Sequence, residues 1–212
     1  MKSRLAIVGT GEFGEQVLKY SELQNKYDVV GFFDDFFAEK EFQEKPVLGK
    51  IEDIESLYGE DYFDTLFIAI GYNHLAFKQG LQNRFNKIPL ATIVHPTAIV
   101  EPSATLEEGT LICGNSYIGI NSIIKKGAVV HLCSFVPHDN TIEECVFISS
   151  GVNLGGKTKI GARTFVGLGA TVSDSLNVCE DVLIGASALV LKSITEPGKY
   201  IGSPARQLRK ND

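Results

Sequence analysis

Hydrophobic and polar positions follow one rhythm up to about residue 90 and a different one after it. In the first part, short apolar runs alternate with segments of helical spacing. Arg4 to Val8 reads as a strand, Glu12 to about Leu23 as a helix, and Asp28 to Phe33 as a second strand. Ile51 to about Tyr58 reads as a short helix and Thr65 to Ile70 as a third strand. Asn73 to about Phe85 reads as a further helix, with Asn73 as its expected N-cap. Strands that alternate with helices imply right-handed crossovers and a small parallel sheet.

Beyond about residue 91 the helical period vanishes. An aliphatic residue then recurs at every sixth position, from Val94, Val100 and Leu106 through to Ile184 and Val190, seventeen times without an insertion or exception. Two residues before it the side chain is usually small, as at Ala98, Ala104, Thr110, Ser116, Ser134 and Thr164. Glycine follows it at Gly119, Gly155, Gly161, Gly167 and Gly185. This repeat specifies a solenoid of short flat faces. One bulky residue fills the interior of each face, its neighbour near the corner must be compact, and the glycines are expected to supply corner conformations that other residues resist. Three hexads make one triangular coil, so seventeen make between five and six stacked coils. A sandwich of short strands would show period two and variable strand lengths instead.

The register breaks at Glu196, before Pro197 and Gly198. The tail from Tyr200 to Asp212 is expected to leave the prism, with Gln207 to Lys210 as a short helical turn over its open end. The chain is therefore expected to divide into an α/β domain over residues 1–90, an all-β parallel β-helix over 91–195 and a capping tail over 196–212.

Charge narrows the partners. With a net charge of −6 and no Lys/Arg-rich segment, the chain lacks the basic surface that neutralises phosphates along a nucleic acid. The apolar run near the N-terminus is too short for a signal peptide, and no stretch reaches the roughly 18 to 20 apolar residues that cross a bilayer. A cytoplasmic protein without membrane insertion is expected. The four cysteines are scattered and form no CxxC pair, which argues against a zinc knuckle or redox motif.

Two segments carry candidate chemistry. The first is G-T-G-E-F-G at Gly9 to Gly14, directly after a strand, where such loops place phosphates at a helix N-terminus. Asp34 and Asp35 end the second strand where a ribose-binding acid would sit. A domain of only about ninety residues, however, leaves no second nucleotide half for NAD. The second segment is Ser134-Phe-Val-Pro-His138-Asp139, since an imidazole titrates near working pH and suits general-base work.

The Gly9–Gly14 loop, G-F-F-D-D at Gly31 to Asp35, A-I-G-Y-N at Ala69 to Asn73, the six-residue repeat and G-S-P-A-R at Gly202 to Arg206 resemble one known group along nearly the whole chain. It is the NeuD/PglD-like family of hexapeptide-repeat sugar acetyltransferases: sialic acid O-acetyltransferases and N-acetyltransferases of nucleotide-linked 4-amino-4,6-dideoxy sugars. The resemblance implies a Rossmann-like head on a left-handed β-helix, a homotrimer, and acetyl-CoA bound in a groove between adjacent subunits. It implies His138 as general base and Asp139 as the carboxylate that orients it. Acetyl-CoA would be lined by Gly155, Gly156, Leu168, Gly185, Ala186 and Lys192. Phe147 stands where many relatives carry a second histidine near the cofactor, and Pro137 where they commonly carry an acid. The nucleotide-sugar would lie in the head, with Gly11, Glu12 and Phe13 at the phosphates or base, Asp34 and Asp35 near the base or ribose, and Gly71 at the floor. His131, where relatives often carry Asn, would contact the sugar or the catalytic ring.

The implied reaction is N-acetylation by direct attack of a sugar 4-amino group on the thioester. O-acetylation of a sialic-acid-like sugar and a non-catalytic nucleotide-sugar-binding trimer are the alternatives. No metal is expected. Residues one coil from His131 and His138 are Cys113, Ser149, Ile120 and Gly156, and His95 lies two coils from His131, on the order of 10 Å away. His74 and His95 receive no role.

Overall fold

The computed structural model describes residues 2–208. The chain forms two compact units, residues 1–96 and 97–212.

In the first unit, β1 (Ser3–Val8), β2 (Tyr27–Phe33), β4 (Lys45–Gly49) and β5 (Thr65–Ile68) run parallel. The edge strand β3 (Glu41–Phe42) pairs antiparallel with β4, giving the order β3-β4-β2-β1-β5. α1 spans Glu12–Gln24. α2 (Ile54–Gly59) follows a 3-10 turn at Ile51–Asp53, and α3 (Leu75–Arg84) follows one at Tyr72–His74. One core packs Ala6, Val8, Phe33, Leu66 and Ile68 of the sheet against Ile54, Leu81 and Phe85.

Two local expectations change. Asn73 lies inside the 3-10 turn, and α3 begins two residues later without a side-chain cap. The β3–β4 hairpin lies in a segment with no strand signal, because its turn uses Gln43 and Glu44 at φ 49° and 61° rather than the Asn-Gly pair that advertises such turns.

The second unit is a parallel β-helix with three faces. Face one stacks Leu111–Ile112, Val129–Val130, Phe147–Ile148, Phe165–Val166 and Val182–Ile184. Face two stacks Ile99–Val100, Tyr117–Ile118, Phe135–Val136, Asn153–Leu154, Thr171–Val172 and Leu189–Val190. Face three stacks Thr105–Leu106, Ile123–Ile124, Thr141–Ile142, Lys159–Ile160 and Asn177–Val178. Partners such as Ile118 and Val136 are 18 residues apart, one coil per three hexads. From Ile112 to Val190 the aliphatic of every hexad is buried, whereas Val94, Val100 and Leu106 at the start of the series are half-buried.

The small residues two positions earlier do more than save space. Ser116 Oγ donates to His131 O at 2.8 Å, Ser134 Oγ to Ser149 O at 2.8 Å, and Thr164 Oγ1 to Cys179 O at 3.1 Å. Each buried hydroxyl thus ties its corner to a corner carbonyl of the next coil, which satisfies both groups away from water.

The glycine expectation is corrected. The left-handed corner residue lies three positions after the aliphatic, at Asn115, Asn121, Cys133, Asp139, Lys157 and Arg163 with φ of 56–57°, and at glycines such as Gly109 and Gly127 with φ of 72° and 67°. Gly155 and Gly161 are required for a different reason. A Cβ at Gly155 would stand 2.4 Å from Asp174 N, and one at Gly161 2.4 Å from Cys179 C, so these glycines let adjacent coils approach.

The tail is also corrected. Gly198–Ile201 continues face one in parallel with Val182–Ile184, and Arg206–Gln207 turns back against it as an antiparallel strand. Gln207 therefore belongs to a strand rather than a helical turn, and Arg209 and Lys210 lie outside the described residues.

Candidate active site

His138 and Asp139 occupy the corner that joins face two to face three. Asp139 takes the left-handed position of that corner at φ 57°, a conformation that Asp tolerates better than most residues. The His138 side chain is 56% exposed, and its Nδ1 lies 2.9 Å from Asp139 Oδ2. The hydrogen bonds from His138 and then from Asn121 hold the Asp139 carboxyl below its ordinary range. An ionised carboxylate only accepts, so the proton of the pair belongs on Nδ1, and the lone pair of Nε2 is directed away from Asp139.

The surroundings of the pair fix its place. Gly156, one coil on, lies beneath the imidazole: a Cβ there would stand 2.5 Å from His138 Nε2 and 2.6 Å from Cε1. Lys157 N donates to His138 O at 3.0 Å. Asn140 is completely buried, and its Nδ2 donates to Pro137 O at 3.0 Å and His138 O at 3.3 Å, while its Oδ1 accepts Thr158 N at 3.0 Å. Sequence reasoning passed over Asn140 because a polar residue in a small-residue position shows its purpose only when both flanking carbonyls converge on it. Asn140→Ala leaves the buried Thr158 N–H without its acceptor, while His138 O keeps its bond from Lys157 N. The substitution is expected to destabilise the protein by about 1–3 kcal/mol, read as a lowered denaturation midpoint.

The residues expected around acetyl-CoA fall into two groups. Gly155, Gly156 and Lys192 share the corner of His138, and Gly156 N donates to Asp174 Oδ1 at 2.7 Å. Leu168, Gly185 and Ala186 lie on the corner between faces one and two, the corner of His131. Phe147 points outward on face one yet is only 7% exposed, stacked on His131 and tilted against Phe165, with ring centroids 6.0 Å away on either side. His131 Nδ1 meets Ser150 Oγ at 2.6 Å, and burial pushes its imidazole below the ordinary value, which favours the neutral ring. Within one chain, face two stands between the two groups. Lys192 also lines a cleft of about 470 Å³ at the end of the prism with Tyr200, Pro204 and Arg206. Among the described residues no three His, Cys, Asp or Glu side chains are grouped to hold a metal ion.

In the first unit, Gly11, Glu12, Phe13, Asp34, Asp35 and Gly71 gather where β1, β2 and β5 end, the edge at which parallel α/β sheets take ligands. The glycines divide the work. A Cβ at Gly14 would stand 2.0 Å from Gly9 O, so Gly14 permits the close packing of α1, whereas Gly11 and Gly71 have nothing within 4 Å of that position and leave open space. Phe13 sets its ring edge-on to Phe67 at 6.5 Å, and its backbone N–H lies in the first turn of α1, among the amides that have no partner within the helix.

The acidic pair separates in role. Asp34 accepts Thr10 N and Thr10 Oγ1 through Oδ2, both at 2.9 Å, and Phe36 N through Oδ1 at 2.8 Å, which binds the glycine loop to the end of β2. Burial opposes its ionisation, but these bonds keep the carboxyl below its usual range. Asp35 uses Oδ1 on Ile51 N at 2.9 Å and borders a cleft of about 470 Å³ with Phe36, Lys50, Phe77 and Arg84. Phe36 is 95% exposed there. Its only sequence signal was its place directly after the acidic pair.

Known proteins share this architecture. Residues 4–77 match the family described as the PglD N-terminal domain. The acetyltransferase domain of PglB from Neisseria gonorrhoeae FA1090 is 27% identical with a TM-score of 0.90, covering 98% of this chain and 100% of that one. A GDP-perosamine N-acetyltransferase from Caulobacter crescentus, solved with CoA and GDP-perosamine as a histidine-substituted variant, is 26% identical with a TM-score of 0.90 over 97% of each chain. By sequence, the UDP-3-O-acylglucosamine N-acyltransferase of Bordetella avium (strain 197N) is 35% identical over 82 residues, 39% of this chain and 23% of that protein. The chain spans only 23% and 38% of the length of two such curated relatives. The chain thus resembles these acetyltransferase structures along nearly its whole length, with a match to the PglD N-terminal domain over residues 4–77, and is built as they are, from an α/β domain followed by a left-handed hexapeptide-repeat β-helix.

Proposed function

We propose that the protein is an acetyl-CoA-dependent N-acetyltransferase of the 4-amino group of a nucleotide-linked 4-amino-4,6-dideoxy sugar, with His138 as general base. The observation that carries the reading is the His138–Asp139 pair, set over Gly156 on an exposed corner with Nε2 directed away from Asp139. The likeness to a perosamine N-acetyltransferase solved with CoA supports it.

The amine nitrogen attacks the thioester carbonyl, and the proton it loses passes to His138 Nε2. The carbon–sulfur bond then breaks, and the imidazolium returns the proton to the departing CoA thiolate. Asp139 stabilises the imidazolium between these steps and is not itself protonated. Placing amine and thioester in contact supplies much of the rate. Gly11 and Gly71 leave room for the nucleotide end of the sugar, the first turn of α1 suits its phosphates, and the Asp35–Phe36–Phe77 cleft suits a base with donor N–H groups and a stacking face.

The division of the acetyl-CoA residues between two corners supports a homotrimer, in which the His138 corner of one copy meets the His131 corner of the next. Face two, between those corners, presents exposed Ile99 and Phe135, with Phe135 stacked on Tyr117 at 5.2 Å. A trimer mass in native mass spectrometry is expected, and a monomer would remove the shared groove.

The reaction is tested by release of CoA thiol from acetyl-CoA with UDP-, dTDP- and GDP-linked 4-amino-4,6-dideoxy sugars, with free sialic acid in parallel. Turnover of at least one amino sugar is expected. Turnover of sialic acid alone transfers the assignment to O-acetylation, and nucleotide-sugar binding without thiol release transfers it to a non-catalytic binding protein.

A further inference from the structure

On the left-handed column of the His138 corner, Asn121, Asp139 and Lys157 follow one another at intervals of one coil. Asn121 Nδ2 donates to Asp139 Oδ1 at 3.2 Å, while His138 Nδ1 holds Oδ2 at 2.9 Å. Both oxygens of the carboxylate are therefore fixed, one from the coil before and one from the base itself. Asn121 is in turn held by its own backbone N–H, which donates to Ser103 Oγ at 3.1 Å.

We propose that Asn121 is a positioning residue for the base: it sets the rotamer of Asp139, and through Asp139 the ring plane and tautomer of His138, in a relay Asn121–Asp139–His138 that spans two coils. The inference rests on the reading of His138 as general base. The physical reason lies in exposure. The Asp139 side chain is 42% exposed, and water competes for its oxygens, so a carboxylate with one free oxygen would rotate about χ2 and release the imidazole. A donor on Oδ1 removes that freedom while the chemistry uses Oδ2. Asn also suits the backbone, since its φ of 57° lies where Asn is among the better-tolerated residues.

Steady-state kinetics of Asn121→Gly, Asn121→Lys, Asp139→Asn and the Asn121→Gly/Asp139→Asn pair test the relay, with His138→Ala alongside. Glycine keeps the backbone conformation and removes the donor. Asn121→Gly is expected to lower kcat by about three- to tenfold, with both KM values within about twofold and an unchanged melting temperature. Asn121→Lys restores kcat to within about twofold, because an ammonium also donates to Oδ1 and Lys157 shows that the column accepts lysine at φ 56°. Adding Asn121→Gly to Asp139→Asn costs nothing further, since the two act as one unit. A wild-type kcat for Asn121→Gly, or a full additional loss in the Asp139→Asn background, overturns the relay while His138 stands as base. Retained turnover in His138→Ala removes the base assignment itself, and the relay with it.

Discussion

His138→Ala is expected to lower kcat by about two to four orders of magnitude while both substrates still bind. The side chain is exposed and makes its polar contact with Asp139, which is also exposed, so its removal opens no cavity in the core. Folding is therefore preserved, and the loss is one of proton transfer alone. KM values close to wild type, an unchanged melting temperature and a collapsed kcat in the thiol-release assay are the outcome to look for. A variant that retained most of its turnover would leave the amine to lose its proton to water or to another group, and the proposed mechanism would be wrong.

Gly156→Ala is expected to be nearly as damaging, by about a hundredfold in kcat, without touching a reacting group. The added methyl would stand 2.5 Å from His138 Nε2, so the ring must swing away and give up the 2.9 Å contact with Asp139. The cost to folding is small, because the displaced atoms are the end of an exposed side chain and Gly156 does not use a positive φ. Gly155→Ala provides the contrast. Its methyl would meet the backbone of Asp174 at 2.4 Å, which cannot move without separating two coils. Adjacent alanine substitutions therefore have opposite signatures, Gly156→Ala in kcat and Gly155→Ala in thermal stability. Equal melting temperatures for the two variants would contradict the geometry.

Much of the fold was legible because it depends on periodicity. A six-residue repeat admits few architectures, and the buried aliphatics from Ile112 to Val190 line the prism as the spacing requires. The parallel head was legible for a similar reason, since β1, α1 and β2 lie within a residue or two of the apolar runs that announce them. The β3–β4 hairpin was hidden because Gln43 and Glu44 carry no turn signature. The C-terminal hairpin was hidden because its pairing partner, Val182–Ile184, lies well upstream and nothing local announces it.

The same distinction runs through the site. Sequence alone determined the six-residue register, the glycine loop after the first strand and the adjacency of His138 to Asp139, because each is a local property of neighbouring residues. Tertiary structure decided which neighbours one coil away complete the pair: Asn121 on the carboxylate and Gly156 beneath the ring, each 18 positions from its partner, with Asn140 tying the corner's carbonyls to Thr158 of the next coil. It also decided that Asp34 closes the glycine loop while Asp35 borders the cleft. A hydrogen bond between coils depends on side-chain direction as well as register, and direction is settled only when the backbone has turned its corners.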